Sequence, residues 1–492
     1  MSASLHTLEE LNFDNSYTDF PAHFFQPKQP EPLTDPFLIS FNPEVAKLLD
    51  LDPCQAQPEA LAYYFGGEGL LPGSEPLAMK YTGHQFGYYN PDLGDGRGLL
   101  LGEVLNSQGE RWDLHLKGAG KTAFSRFGDG RAVLRSSIRE YLISEAMHGL
   151  GIPTTRALSL VGSRDQVMRE GMMEPCAAVL RVTRCHIRFG HFEWLYYSKR
   201  HEDLKLLADY AIERYFPSLQ QAENPYAAMF SEVLQRSASL VAQWQCYGFV
   251  HAVLNTDNMS LLGETFDYGP FSFMDSYNPD LVSNHNDDQA RYAFARQPAI
   301  VQWNLACLAQ ALLPLIPREY LEAELERFPG LYQAAELTLM RRRLGLQQEH
   351  EGDRSLLEQL KTLFTAQQVD MTRFFRQLSY FDDSEPSLEP LFGLISTPSA
   401  LSDWLRLYRQ RLMQEQCSEA ERKAAMLAVN PRLILRNYMA EEAIRAAHEG
   451  DFEPVSQLMG LLRDPFAEVA GDERYCKAPP QWAAAICLTC SS

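Results

Sequence analysis

Two stretches of this 492-residue chain gather side chains suited to handling a phosphate and a divalent ion. The first is His251-Ala252-Val253-Leu254-Asn255-Thr256-Asp257-Asn258-Met259, followed by Asp267-Tyr268-Gly269-Pro270. Asn258 and Asp267 offer the hard oxygen donors that Mg²⁺ takes together with waters and phosphate oxygens. Asp257 is then left to orient or deprotonate a nucleophile. Phe249, Val250, Val253 and Leu254 are apolar and seat the loop on a packed support. The same residues also read as a pair of Asx-rich turns. The second stretch, Arg181 to His191, is strongly basic inside an acidic chain; Arg181, Arg184 and Arg188 suit an anionic ligand.

A glycine pattern adds to these. GDGR occurs twice, at Gly94-Asp95-Gly96-Arg97 and at Gly128-Asp129-Gly130-Arg131. Paired glycines let a backbone approach a ligand and aim N–H groups at an anion, and arginine adds a bidentate charge. One copy alone reads as a tight turn; two copies flanking one hairpin point to an anion-binding mouth. Gly118 to Thr122, GAGKT, copies the end of a P-loop. The full pattern needs glycine five residues before Gly120, where His115 stands, and a helix at once, so the Walker reading is rejected.

These groups need elements to hold them. GDGRGLLLGEVL, the turn NSQGE and RWDLHLK form a hairpin signal. Its second strand alternates Trp112, Leu114 and Leu116 with Asp113, His115 and Lys117. A helix is expected from about Ala132 to His148, stopped at Gly149, and it carries Glu140, 23 residues after Lys117. A strand lysine paired with a helix glutamate is how kinase-type folds hold lysine against phosphates, and Asp267-Tyr-Gly stands where a kinase has Asp-Phe-Gly. Strand-like runs follow at ALSLVG and AAVLRV. Beyond about Arg200 the pattern is helical, except from Phe249 to Asp288. The fold class expected is α+β in two lobes: residues 1–90 as loops and short helices wrapped on the lobes, 91–195 as a mixed lobe with an antiparallel sheet, 196–480 as a mainly helical lobe carrying the loop 249–288, and 481–492 as a tail.

Composition narrows the function classes. The chain is 45% hydrophobic and 22% charged, which suits a globular protein with more than one core and argues against disorder. Its 64 acidic against 44 basic residues, a formal charge of −20, argue against nucleic acid or an anionic membrane as partner. Gln297 to Pro317 has no formal charge, but its amides and prolines fit a buried helix better than a membrane span. Nine irregularly spaced cysteines and an N-terminus without signal-peptide character predict a reducing cytoplasm. The tail keeps a CxxC, Cys487 and Cys490, which reads as a redox pair, half a zinc site or neither.

LHLKGAGKTAFSRFGDGRAVLRSSIREYLISEAM, GIPTTRALSLV, HIRFGHFE, NTDNMS with DYGPF, and NHNDDQARYAFARQP together resemble the selenoprotein O family, from about Leu11 to the C-terminal cysteines. The resemblance implies a protein-kinase-like pseudokinase fold that binds ATP in an inverted orientation and transfers AMP to Ser, Thr or Tyr hydroxyls of proteins. It also implies UMP transfer with Mn²⁺ for bacterial members. By motif, Gly94, Gly96, Arg97, Lys117, Asp129, Gly130, Arg181, Arg188 and Asp267 would bind nucleotide, with Glu140 positioning Lys117. Asn258 and Asp267 would hold Mg²⁺ or Mn²⁺, and Asp257 would be the base. Unlike a kinase, where the catalytic Asp precedes the metal-binding Asn by five positions, Asp257 and Asn258 are adjacent. Ala252 stands where the family commonly has glycine. Near Ser283, in VSNHND, many bacterial members carry a cysteine that can pair with the C-terminal one, and no cysteine stands there in this chain. A silent, redox-regulated nucleotide sensor, a true protein kinase and a thiol oxidoreductase remain as alternatives.

Overall fold

The computed structural model describes residues 5–382, 384–469 and 471–489. The hairpin expected at GDGRGLLLGEVL–RWDLHLK forms, and it sits in the middle of an eight-stranded sheet whose strand pairs are all antiparallel. In chain order the strands are β1 (Phe25–Pro27), β2 (Phe37–Phe41), β3 (Leu77–Met79), β4 (Gly83–Gln85), β5 (Tyr88–Asn90), β6 (Gly98–Leu105), β7 (Arg111–Lys117), β8 (Ala132–Val133), β9 (Arg156–Arg169), β10 (Met172–Thr183), β11 (Phe249–Val250) and β12 (Ser272–Phe273). The main sheet runs β1-β3-β6-β7-β10-β9-β2, with β8 added on β10, while β4-β5 and β11-β12 are separate two-stranded pairs. The β6–β7 turn closes because Asn106 Oδ1 accepts from the N–H groups of Gln108 (3.1 Å) and Glu110 (2.8 Å), and Gly109 takes φ 77°.

Two expectations are corrected here. Residues 1–90 do more than wrap the outside: β1, β2 and β3 extend the sheet on both edges. Their runs are three to five residues long, too short for a period-2 signal to stand out. The helix expected from Ala132 begins at Leu134, because Ala132 and Val133 first pair with Ala177 and Cys176.

Three helices accompany the sheet: α1 (Pro43–Leu48), α2 (Pro58–Phe65) and α3 (Leu134–Gly149). The rest of the chain is helical: α4 (Phe189–Tyr197), α5 (His201–Tyr215), α6 (Pro225–Tyr247), α7 (Gln297–Ala311), α8 (Arg318–Arg343), α9 (Asp353–Gln367), α10 (Met371–Leu378), α11 (Glu385–Phe392), α12 (Pro398–Leu412), α13 (Glu419–Leu427), α14 (Asn437–His448) and α15 (Glu453–Arg463). The long α6 has clear end signals: Asn224 accepts from Ala227 N, Pro225 opens the first turn, and Gly248 closes it at φ 73°.

The sheet is covered on both faces. Leu99, Leu101, Leu114, Leu116, Leu180 and Val182 pack with α1 and α2 in one core. Leu100, Ala177 and Val179 face the other way, into the core that α3 shares with the C-terminal helices, including α15. The polar face of β7 is therefore not solvated: Asp113, His115 and Lys117 are each 4% exposed or less. Buried polar side chains must find partners, and on this face those partners form the site.

Candidate functional site

The register places Lys117 opposite Val179 and His115 opposite Arg181, so Lys117, His115 and Arg181 share one face. α3 crosses that face and presents Glu140 between the two cations. Lys117 Nζ donates to Glu140 Oε2 and Arg181 Nε donates to Glu140 Oε1. Arg181 Nη1 then meets Asp267 Oδ1 at 2.9 Å, and Arg188 Nη1 contacts Asp267 Oδ2 and donates to the Asp257 carbonyl at 2.7 Å. Arg188 is fixed between the rings of Tyr81 (4.8 Å) and Phe266 (4.7 Å).

The chain of contacts Lys117–Glu140–Arg181–Asp267–Arg188 holds three cations against two anions. Burial alone would push the Glu140 carboxyl up, but Arg181 and Lys117 together outweigh it and hold the group at about 2. Burial, helped by the charges of Arg97 and Arg181, lowers Lys117 to about 8 against the pull of Glu140. Excess positive charge under low-dielectric walls is a setting that favours an anionic ligand.

The loop after β11 is clamped from below by α7, the charge-free stretch. Gln297 accepts from His251 N (2.9 Å) and donates to Phe249 O (2.8 Å), and Asn304 donates to Leu254 O (3.0 Å). The amides that argued against a membrane span thus tie down the loop backbone, and no helix among the described residues is long and apolar enough to cross a membrane. Ala252 holds φ 69°, a left-handed conformation that glycine adopts without the cost of a Cβ. From the other side, Asn255 Oδ1 accepts from Tyr292 Oη (2.6 Å) and Phe86 N (3.2 Å), and Thr256 Oγ1 accepts from His84 N (2.7 Å).

Asp257 lies at the centre of this frame. Gln85 Nε2 donates to its Oδ2 at 3.1 Å, while its Oδ1 is buried with no hydrogen-bond partner among the described residues. Burial is the largest influence and pushes the carboxyl up to about 6, against Arg188 and Gln85. A carboxylate with one free oxygen and such an affinity for protons is suited to general-base work near neutral pH. Asn258 spends its Nδ2 on Val253 O (2.9 Å), which leaves Oδ1 as the amide's acceptor. Asn258 Oδ1 and the Asp267 carboxylate are both hard donors, so the residues present fit Mg²⁺ or Mn²⁺. In the structure the two Asp267 oxygens are each held by an arginine.

The two GDGR copies meet through the connection after β7. Gly118 N donates to Arg97 O (2.7 Å), Thr122 Oγ1 to Asp95 O (2.6 Å), Ser125 Oγ to Gly96 O, and Gly120 N to Gly130 O (3.1 Å). Glycine is required for contact between chain segments: a Cβ on Gly130 would lie 2.1 Å from the Gly120 carbonyl carbon, and one on Gly94 2.5 Å from the Phe124 ring. Asp129 pairs with Arg169 (2.7 Å) and Arg131 donates to the Glu31 and Pro32 carbonyls (2.8 Å each), so the second copy's charged side chains brace the sheet edge.

Sequence reading missed Gln85, Asn255, Thr256, Gln297 and Asn304 as loop holders, and the buried run Asp95–His115, stacked on His186 (4.6 Å) and closed by Asp113 (3.1 Å). A usable signal was present for two of them, since amides inside an otherwise apolar helix need buried partners. In the tail, Cys487 is exposed, Leu488 O accepts from His285 N (2.9 Å), and Thr489 reaches Glu170; Cys490 lies outside the described residues. Ser283, next to that docking point, donates to Pro270 O at 2.5 Å.

Known proteins are similar to this chain along most of its length. The family model described as "Protein adenylyltransferase SelO" matches residues 7–463. A "Protein nucleotidyltransferase YdiU" from Hahella chejuensis is 59% identical over 494 residues, covering all of both chains. Proteins of the same name from Myxococcus xanthus and Pseudomonas aeruginosa are each 49% identical over 487 residues, covering 99% of this chain and all of theirs.

Proposed function

We propose, from the premise that this chain belongs to the protein adenylyltransferase SelO family and is a nucleotidyltransferase, that it transfers AMP from ATP to Ser, Thr or Tyr hydroxyls of proteins. The observation that carries the reading is Asp257: a buried carboxylate pushed up to about 6, with one unpartnered oxygen, beside Asn258 and within two arginine contacts of Asp267. Asp257 Oδ1 takes the proton of the attacking hydroxyl. The hydroxyl oxygen bonds the α-phosphorus, the bond from that phosphorus to the α,β-bridging oxygen breaks, and pyrophosphate leaves.

Lys117, Arg97, Arg181 and Arg188 hold the phosphates, and Glu140 keeps Lys117 and Arg181 aimed. Gly94, Gly96 and Gly130 let the two loops close together, and Asp129 secures the second loop through Arg169. Asn258 and Asp267 would hold Mg²⁺ or Mn²⁺, which would supply neutralisation of phosphate charge. Arg181 and Arg188 exchange Asp267 for phosphate oxygens. With these cations on the β- and γ-phosphates, the nucleotide lies inverted relative to a kinase and offers its α-phosphate to Asp257. The sheet with Lys117 and Glu140, and the helical half with Asp257 to Asp267, support a kinase-like pair of lobes, the first at 91–195 completed by β1, β2 and β3 and the second at 196–480. Adjacency of Asp257 and Asn258 supports chemistry other than γ-phosphoryl transfer.

Incubation with ATP labelled separately on the α- and γ-phosphates tests the reading. Protein-bound label from the α position alone is expected, lost in Asp257→Ala; label from the γ position alone would establish a kinase instead. Parallel reactions with UTP and Mn²⁺ measure UMP transfer by the same site.

A further inference from the structure

One group of ligand-type side chains lies apart from Asn258 and Asp267. His84 of β4, Glu193 of α4 and Cys307 of α7 bring a ring nitrogen, a carboxylate oxygen and a sulfur within 4.8 Å of one another. Glu193 is fully buried. Its Oε2 meets His84 Nδ1 at 2.8 Å, while its Oε1 is buried with no hydrogen-bond partner among the described residues. A buried carboxylate oxygen without a donor is costly unless something positive completes it. The rings of Trp303 and Tyr89 stand 5.3 Å from His84, and that of Tyr197 6.0 Å, so the group has an aromatic wall.

We propose that His84, Glu193 and Cys307 form a binding site for a Zn²⁺-type transition-metal ion, separate from the metal of the nucleotide site. Imidazole, thiolate and carboxylate together select zinc over magnesium, which prefers all-oxygen surroundings. Bonds of about 2.0–2.3 Å in tetrahedral geometry hold ligand atoms roughly 3.3–3.8 Å apart, so side-chain rotations of about 1 Å close the trio onto an ion. Cys307 loses its thiol proton to solvent as the sulfur–metal bond forms. One carboxylate and one thiolate then balance the two positive charges, which leaves the buried site neutral. Three protein ligands leave a fourth corner for water, reached from the partly exposed His84 side. An ion here would join β4 to α4 and α7, and β4 carries Gln85, the donor to Asp257.

The test uses the full chain with Cys487→Ser and Cys490→Ser, so that the tail thiols contribute nothing, and titrates Co²⁺ and then Zn²⁺. One thiolate-bound Co²⁺ per chain is expected, read from a thiolate-to-cobalt charge-transfer band in the near ultraviolet that Zn²⁺ abolishes by displacement. Removing a group that only orients a ligand already costs about 10–100-fold in affinity, so loss of a ligand itself in Cys307→Ser or His84→Gln should weaken Zn²⁺ binding by more than about 100-fold, and the former should erase the band. Circular dichroism of each variant establishes that it is folded. Absence of the band in the parent chain, or its survival in folded Cys307→Ser, overturns the proposal. Neither outcome depends on whether AMP is transferred.

Discussion

Replacing Asp257 by asparagine should abolish transfer and make the protein more stable. The argument starts from burial, which raises the carboxyl from 3.8 to about 6 in the folded chain. Unfolding returns it to its ordinary value, so between those limits the folded state binds a proton that the unfolded state does not. For an acid shifted upward, stability therefore falls as pH rises from about 3.8 to about 6, and above that the penalty is constant. A shift of roughly two units at about 1.36 kcal/mol each corresponds to about 3 kcal/mol at pH 8. At pH 5 the same linkage leaves roughly half of that, and at pH 4 only a small fraction. Asparagine keeps the shape and never ionises, so it removes this penalty. An unfolding entropy of about 2.1 cal/mol/K per residue makes about 1 kcal/mol equivalent to roughly 1 °C for a chain of this length. Thermal melts of wild type and Asp257→Asn, without nucleotide and with chelator, should then differ by about 3 °C at pH 8 and by under about 1 °C at pH 4. A variant no more stable at pH 8, or equally stabilised at both pH values, would refute the claim that Asp257 is a desolvated base.

Three further perturbations probe the surrounding frame. As the base, Asp257 must be deprotonated, so kcat/KM should fall below a midpoint near 6; Gln85→Leu removes a hydrogen bond worth about 1.5–3 kcal/mol to the charged form and should move that midpoint up by about 1–2 units in a pH–rate profile. In Gly83→Ala the new Cβ would lie 2.8 Å from Asp257 Oδ1 and 3.0 Å from its backbone nitrogen, so transfer should drop roughly 100-fold through misplacement, with circular dichroism unchanged. Glu140→Gln strands Lys117 and Arg181 on a buried face; chemical denaturation should show a loss of about 3–5 kcal/mol, and nucleotide KM should rise.

Legibility in the sequence followed distance along the chain. The β6–β7 hairpin, α3 and the helical half were readable because periodicity, Asx turns and glycine stops act over a few residues. The types of Asp257, Asn258 and Asp267 pointed to metal-binding and base chemistry, with a pair of Asx-rich turns as the other reading their sequence allows. The short strands β1, β2 and β3 were missed because a three-residue run carries too little pattern, and they exist through pairing with distant partners. The alternation in β7 marked two faces without saying that the polar one would be covered; that depended on α3 and the helical half lying over it.

The sequence by itself determined the family, the β6–β7 hairpin, α3 and the helical half, and the inventory of acids, amides and cations from which the site is made. Only the tertiary structure decided which of them meet: Arg181 with Glu140 41 residues away, Arg188 with Asp267 79 away, Gln85 with Asp257 172 away. It also decided that Asp129 and Arg131 brace an edge while Gln297 and Asn304 hold the loop after β11. The physical reason is desolvation. A side chain's charge and hydrogen-bonding capacity are written in its type, but how strongly they act depends on what excludes water around it, and that is set by segments far apart in the chain.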